Sequence, residues 1–466
     1  MNETSSGWQT NIYGILPHPA EPCILLLPGE TGWALPHVHL NEAVWEAEGP
    51  EHSDLGRVTR AMRKELAVDV TVLRVVRFCV DEDKHQVAGT VVLENHNPTW
   101  KLPSVGQWVG RATLAGMTLA QPQQRSVVAD YLAEVERGII PEHRVPWARP
   151  GWFAQAESWI HVELERLGYT RAGPIEQFKS WCLSCILRAP TATGDVYFKV
   201  AADLPLFVNE AVVMQGLAER YPRHVPAPLR IDRERGWMLL PDFGRELGWA
   251  APIERREEAL RAFGQLQIDS AKHIDELLTI GCLDRRLDRL VDQIDPLINS
   301  LDEACGLTET EIAQLRERAP RLKTMCAQLA SYRVPSTLAH GDMHMSNVAL
   351  CDGDYQFFDW TDACVTHPFL DMIDILHEND GVVQARLRDA YLSLWTDFEP
   401  MDRLLEMWAL AYPLCALHQA VSYQHILANV EDAARRDFGS AIPFWVGKIL
   451  KQQHLSSSGQ GEHGGR

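Results

Sequence analysis

Residues 336–360 read STLAHGDMHMSNVALCDGDYQFFDW and bring His340, Asp342, His344, Asn347, Asp359 and Trp360 into one short span between apolar runs. These residue types, in this order, suit phosphoryl transfer. That reaction needs a carboxylate to take or orient the acceptor's hydroxyl proton, and oxygen ligands to hold Mg²⁺ on the donor phosphates. Asp342 is placed for the first task, Asn347 and Asp359 for the second. The CDGD between them reads as the turn of a β-hairpin that returns the ligands to one edge. Zinc is the competing chemistry, because His340, Asp342 and His344 alternate. Catalytic zinc sites usually recruit ligands at helical spacing or from distant elements, and magnesium accounts for more of these residues.

Donor phosphates also call for a cation. The strand-like GDVYFKVA offers Lys199, and a helix expected from about residue 205 to 220 offers Glu210 to hold it, with Leu206, Val213 and Leu217 giving that helix an apolar side. The apolar strand GWMLLP follows, and the backbone from Leu239 through Leu240 to Pro241 is where adenine would meet a hinge. Asp242, in PDFG, precedes Asp342 instead of following it, so it reads as structural. The segment IEQFKSWCLSCILR, where a loop over the donor phosphates is expected, has no glycine. Ser180 or Ser184 would have to serve there. Its Cys182 and Cys185 have C-x-x-C spacing, but a strand sends them to opposite faces and no second pair lies nearby, which argues against a metal or redox role.

The elements that must position these groups fall into more than one domain. A chain of 466 residues exceeds one ordinary hydrophobic core, and 46% hydrophobic with 23% charged residues describes a soluble globular protein. A formal charge of −19 argues against a nucleic-acid partner, which needs a basic face, and leans toward a cationic small molecule. The N-terminus lacks signal-peptide character, and no apolar run is long enough for a membrane span. Ten scattered cysteines suit a reducing cytoplasm. Pro141, Pro146, Pro150 and Gly151 mark a linker at 141–150. Residues 1–140 then form a small α+β domain in which Leu55, Val58, Met62 and Leu66 line one face of a helix. Residues 151–454 pass from strands (151–240) to long helices (245–454), and the Ser/Gly-rich 455–466 reads as a disordered tail.

HGDMHMSN followed by FFDW resembles the signature of the aminoglycoside phosphotransferase and choline kinase family, over roughly residues 150–450. The resemblance implies an α+β, bilobal protein-kinase-like fold with a small β-rich lobe and a large helical lobe. It implies a Mg²⁺-dependent transfer of the ATP γ-phosphate to a small-molecule hydroxyl on an amino sugar, amino alcohol, sugar or nucleoside-like acceptor. In that reading Asp342 is the catalytic base, Asn347 and Asp359 are metal ligands, and His340 and His344 support the loop, His344 beside the cofactor. Lys199, Glu210 and Leu240 serve the nucleotide, and Asp362 is structural. A non-catalytic nucleotide-binding regulator is the alternative. In front, LLLPGETGWALPHVHL with RAMRKELAV is similar to a Nudix fold (α/β/α). Arg60 and Glu65 match its box, whereas Ala61 and Lys64 replace two metal-binding acids and Ala67 replaces the glycine. That implies a catalytically silent module, with another small α+β fold and a working diphosphate hydrolase as the other possibilities. The oligomeric state, a homodimer included, is open.

Overall fold

The computed structural model describes residues 8–41, 55–302 and 305–451. The tail expected at 455–466 lies outside the described residues. The chain divides into two compact units, Met1–Ala202 with Glu431–Ala433, and Asp203–Val430 with Ala434–Arg466.

The first unit opens with strands β1 (Gln9–Ile15), β2 (Cys23–Gly29), β3 (Gly32–Ala34) and β4 (His37–Leu40), helix α1 (Leu55–Leu66), strands β5 (Val70–Asp81), β6 (Gln86–Asn95) and β7 (Gln107–Gly110), and helices α2 (Arg111–Ala115) and α3 (Gln124–Arg137). They form a four-stranded sheet in the order β4-β1-β6-β5 and a three-stranded sheet in the order β3-β2-β7. β1 runs parallel to β6, and the other pairs are antiparallel. The helical spacing of Leu55, Val58, Met62 and Leu66 works as expected, since all four share one core with Ile12, Val87 and Val91. Burying each of these side chains contributes about 1.5–3 kcal/mol. Arg60, Ala61, Lys64 and Glu65 also lie on α1, with Lys64 and Glu65 exposed.

The proline-rich segment carries one short 3-10 turn, Pro146–Ala148, with Trp147 buried. Helix α4 (Trp152–Arg166) and an antiparallel meander of β8 (Glu176–Ser180), β9 (Ser184–Thr191) and β10 (Gly194–Ala201) complete this unit. Cys182 lies in the β8–β9 turn rather than on a strand, and Cys185 is buried on β9. All ten cysteines are free thiols.

The second unit starts with α5 (Glu210–Arg220). This helix begins later than its sequence suggests: Leu204 and Phe207 close a turn, and the Asn209 side chain caps the helix by accepting the Val212 N–H at 3.3 Å. The pair β11 (Arg230–Asp232) and β12 (Trp237–Pro241) follows, then α6 (Ile253–Ser270), α7 (Ile274–Ile280), β13 (Leu283–Asp284), α8 (Leu287–Ser300) and α9 (Glu309–Leu329). Thr308 and Glu311 form a capping box at the start of α9. Next come β14 (Thr337–Ala339), the antiparallel hairpin β15 (Val348–Cys351) and β16 (Asp354–Phe357), and β17 (Cys364–Thr366). β17 is the middle of the sheet β13-β17-β14. Helices α10 (Ile373–His377), α11 (Gly381–Leu392), α12 (Met401–Asn429) and α13 (Ala441–Lys451) end the chain. The architecture is therefore α+β, strand-rich early and helical late. Among the described residues, no helix is long and apolar enough to cross a membrane.

Backbone strain is visible at the end of α1. Ala67, exposed just past α1, sits at φ 49°, in the left-handed region where a Cβ is crowded by the neighbouring carbonyl. Ala67→Gly is expected to stabilise the protein by about 1 kcal/mol. Urea unfolding reads this as a raised midpoint with an unchanged slope, and a lowered midpoint would contradict it.

Candidate active site

The loop from His340 to Asn347 leaves β14 and enters β15, so one end of it is tied to a three-stranded sheet and the other to a hairpin. Its first turn is held from below by Asp371, a buried carboxyl group that accepts the N–H of His340 at 2.6 Å and that of Gly341 at 2.9 Å. Burial pushes Asp371 up to about 8, while these two N–H groups pull the other way. Gln419, buried on α12, donates to the Gly341 carbonyl at 2.7 Å. Asp374 N–H donates to the Met343 carbonyl at 3.1 Å, and the Asp374 carboxylate is paired with Arg256 at 3.0 Å. Gly341 has φ +85°, and a Cβ there would run into the Asp362 carbonyl and lie 2.6 Å from the Asp362 Cβ.

His340 is fully buried, and burial lowers it to about 4, so its ring is neutral. Its Nε2 bonds the Phe358 carbonyl at 2.8 Å, and the ring packs on Trp360 at 4.6 Å. It therefore ties the loop to the end of the β15–β16 hairpin, as expected of a supporting residue.

Asp342, His344 and Asn347 converge. Asn347 Nδ2 donates to the Asp342 carbonyl at 2.9 Å and to Asp342 Oδ2 at 3.3 Å, and it lies 3.3 Å from His344 Nε2. His344 Nε2 is 3.4 Å from Asp342 Oδ2, and its Nδ1 accepts the Ser346 N–H. Burial works against both charges in this pair, yet the His344 ring holds Asp342 below the usual carboxylate range, and Asp342 holds His344 above the usual imidazole value. The Asp342 side chain keeps 41% of its surface open. An ionised, accessible carboxylate with a fixed orientation is what a proton acceptor requires.

Asp359 follows β16 and adopts a left-handed backbone, φ 66° and ψ 59°. A non-glycine residue held there is strained, and such strain clusters at functional sites. The Phe358 N–H donates to the Asn347 carbonyl at 3.1 Å, which sets Asp359 beside Asn347 along the hairpin. The charge of Asp359 is near enough to oppose ionisation of Asp342. Asn347 spends its NH₂ on the carbonyl and the carboxylate of Asp342, which leaves its oxygen for a ligand. A side-chain amide oxygen and a carboxylate are hard donors, and two of them fit Mg²⁺, which takes its other ligands from water and phosphates. Among the described residues there is no cluster of three or more His, Cys, Asp or Glu able to cage a metal.

The remaining expected residues are distributed between the units. In the second, Glu210 opens α5, is buried, and accepts the Trp360 N–H at 3.1 Å, one residue from Asp359. Leu240 is buried on β12. Asp242 is exposed and accepts the Gly244 N–H at 2.9 Å, a turn role that agrees with its structural reading. Burial, then the Asp342 charge, raises Asp362 to about 8. In the first unit, Lys199 is buried on β10, and Ser180 and Ser184 flank the β8–β9 turn.

Three contributors escaped the sequence reading. Asp371 and Gln419 support the loop from more distant segments. A carboxyl group inside the apolar run HPFLDMIDIL was the available signal, since a buried acid must find partners. The third is Trp249, an exposed aromatic stacked on His344 with ring centroids 4.6 Å apart and planes 20° apart. The Gly248 N–H holds its segment to the Met345 carbonyl at 3.1 Å.

Residues 192–406 match the family described as phosphotransferase enzyme family. No curated protein matches the chain. Among solved structures, the chain is similar to a macrolide 2′-phosphotransferase type I at 17% identity, covering 58% of this chain and 95% of that one, with a TM-score of 0.40. It is similar to a choline/ethanolamine kinase family protein from Mesorhizobium loti at 17% identity, covering 64% and 98%, with a TM-score of 0.45. It is also similar to choline kinase LicA from Streptococcus pneumoniae at 12% identity, covering 63% and 99%, with a TM-score of 0.45.

Gly341→Ala is expected to force the loop off Asp362, destabilising the protein by about 1–3 kcal/mol. Thermal or urea unfolding measures this directly, and a variant as stable as the parent would contradict the close approach described above.

Proposed function

From a chain whose residues 192–406 match the phosphotransferase enzyme family, we propose that this small-molecule phosphotransferase moves the γ-phosphate of ATP to an acceptor hydroxyl, with Mg²⁺ as cofactor. The observation that carries the proposal is Asp342, an ionised carboxylate held by His344 and Asn347 while part of it stays open to solvent. In the reaction, the acceptor oxygen attacks the γ-phosphorus, its bond to the bridging oxygen of ADP breaks, and the hydroxyl proton passes to Asp342. Asn347 and Asp359 offer their oxygens to the metal, and Lys199 is assigned to the donor phosphates. Mg²⁺, when bound, supplies charge neutralisation on those phosphates. Glu210 braces the segment that carries Asp359 through the Trp360 N–H. The backbone around Leu240 is assigned to adenine. The ten free thiols agree with action in a reducing cytoplasm.

Trp249 supplies the acceptor side of the reading. Its ring lies on His344, next to the base, and also packs against His377 at 5.0 Å, and the residue is 49% exposed. A half-exposed indole beside a carboxylate suits a cationic or flat hydroxyl compound, in line with the chain's acidic surplus.

Asp342→Asn is expected to lower the phosphate-transfer rate by at least 10²–10⁴-fold, while calorimetry finds MgATP binding within a few-fold of the parent. Equal turnover by variant and parent removes the assignment. Trp249→Ala is expected to raise the acceptor KM by about 10-fold, the worth of one aromatic contact, with the MgATP KM unchanged. A screen of aminoglycosides, amino alcohols, sugars and nucleosides supplies the acceptor, and an acceptor KM indifferent to Trp249 would exclude it from the binding surface.

A further inference from the structure

The β8–β9 turn, Trp181 to Leu183, contains no glycine, yet it occupies the place where a flexible loop over the donor phosphates was expected. Its surroundings within the first unit supply what the sequence lacks. β5 is an edge strand of the four-stranded N-terminal sheet. Gln177 of β8 closes that edge. Its buried amide accepts the Val72 N–H at 2.7 Å and donates to the Val72 carbonyl at 2.7 Å, so one side chain does the pairing of a strand residue. Thr59 of α1, also buried, donates to the same Gln177 oxygen at 3.2 Å. The strands are irregular at the contact: β5 shifts register between Val72 and Arg74, and β8 between Gln177 and Lys179. Bulges of this kind re-aim side chains and end pairing. Beside them, Glu176 pairs with Arg60 of α1 at 3.0 Å and with Arg188 of β9 at 2.6 Å.

The tip of the turn is held as well. Trp147, buried in the proline-rich segment, donates its indole N–H to the Trp181 carbonyl at 2.6 Å. Trp181 donates its own indole N–H to Ser184 Oγ at 2.9 Å and its backbone N–H to the Ser184 carbonyl at 3.0 Å. A glycine-rich loop adapts to phosphates by bending. This turn is braced in one shape by residues that lie outside the matched family segment.

We infer that the N-terminal module is a positioning device for the donor-phosphate turn, with Gln177 and Trp147 as positioning residues that set nucleotide affinity through the shape of Trp181–Ser184. The inference rests on the phosphotransferase reading and gives the module a task that needs no catalysis of its own.

The test uses the full chain with MgATP and whichever acceptor supports turnover. Trp147→Phe keeps an aromatic side chain but removes the indole N–H together with part of the ring's volume, and Gln177→Leu removes the bonds to Val72 and Thr59. Each is expected to raise the MgATP Kd and KM by about 10-fold while the acceptor KM stays within two-fold. Amide hydrogen exchange at residues 181–184 is expected to accelerate in Trp147→Phe without ligand. Should Gln177→Leu fail to fold, the Trp147→Phe result decides. A parent that binds and turns over MgATP, with variants whose nucleotide constants and exchange match it, overturns the inference and leaves the phosphotransferase reading standing. Equal changes in both KM values, the mark of a general loss of structure, also overturn it. A parent that neither binds nor consumes MgATP overturns the reading itself, and the inference with it.

Discussion

The carboxyl group of Asp371 holds two consecutive backbone N–H groups, those of His340 and Gly341, where the chain leaves β14 and turns into the loop that carries Asp342. The rest of the loop is built on that turn. Leaving either buried N–H without a partner would cost about 1–3 kcal/mol. Gly341 can follow the turn because it has no side chain to strike Asp362. With the start of the loop anchored, His340 is drawn under the hairpin and reaches the Phe358 carbonyl. The burial that anchors these groups also keeps the His340 ring neutral, so it serves as a fixed hydrogen-bonding strut and not as a proton carrier.

The loop separates two demands that conflict when one residue must meet both. A base has to be ionised and reachable, and ionised groups resist burial. Here the buried half of the work goes to Asp371, His340 and Gln419, which touch backbone. Asp342 is left at the opening, paired with His344 and bridged by Asn347. In the proposed reading Asn347 connects the two functions, since its NH₂ fixes Asp342 while its oxygen would be left for a metal. The left-handed backbone of Asp359 belongs to the same economy, because the Glu210 bond to the Trp360 N–H and the Trp360 indole bond to the Phe357 carbonyl hold the chain on the far side of that strained residue.

What could be read from the sequence was local. The spacing from His340 to Asn347, the apolar strand before Asp359, and the Leu55-Val58-Met62-Leu66 face of α1 each lie within a single element or hairpin, where periodicity and turn chemistry constrain geometry. The supports are non-local and were not legible. Asp371 reaches the loop from beyond the β15–β16 hairpin and β17, Gln419 comes from a helix much further along, and a single polar residue in an apolar run carries no address for its partner. Gln177 is harder still. On paper it is an ordinary polar residue of an alternating strand, and only the meeting of two irregular strand edges makes its amide a backbone substitute. The start of α5 slipped for a related reason: helix-compatible residues from 205 onward are overridden by the Leu204–Phe207 turn and the cap at Asn209.

The missing glycines of the β8–β9 turn can be weighed against this pattern. Glycine lets a loop meet phosphates closely, but it carries a large conformational entropy that ordering must remove. A turn built from Trp181, Cys182 and Leu183 has less freedom to lose, provided something holds it in the right shape beforehand. Trp147 holds the tip and Gln177 the base, and the Gln177 bonds are buried, where hydrogen bonds are stronger and stray conformations costly. Preorganisation of this kind moves the ordering cost from the moment of binding to the moment of folding. The cost is then borne by the surrounding structure, and a strand edge and a buried indole outside residues 192–406 have the rigidity to bear it.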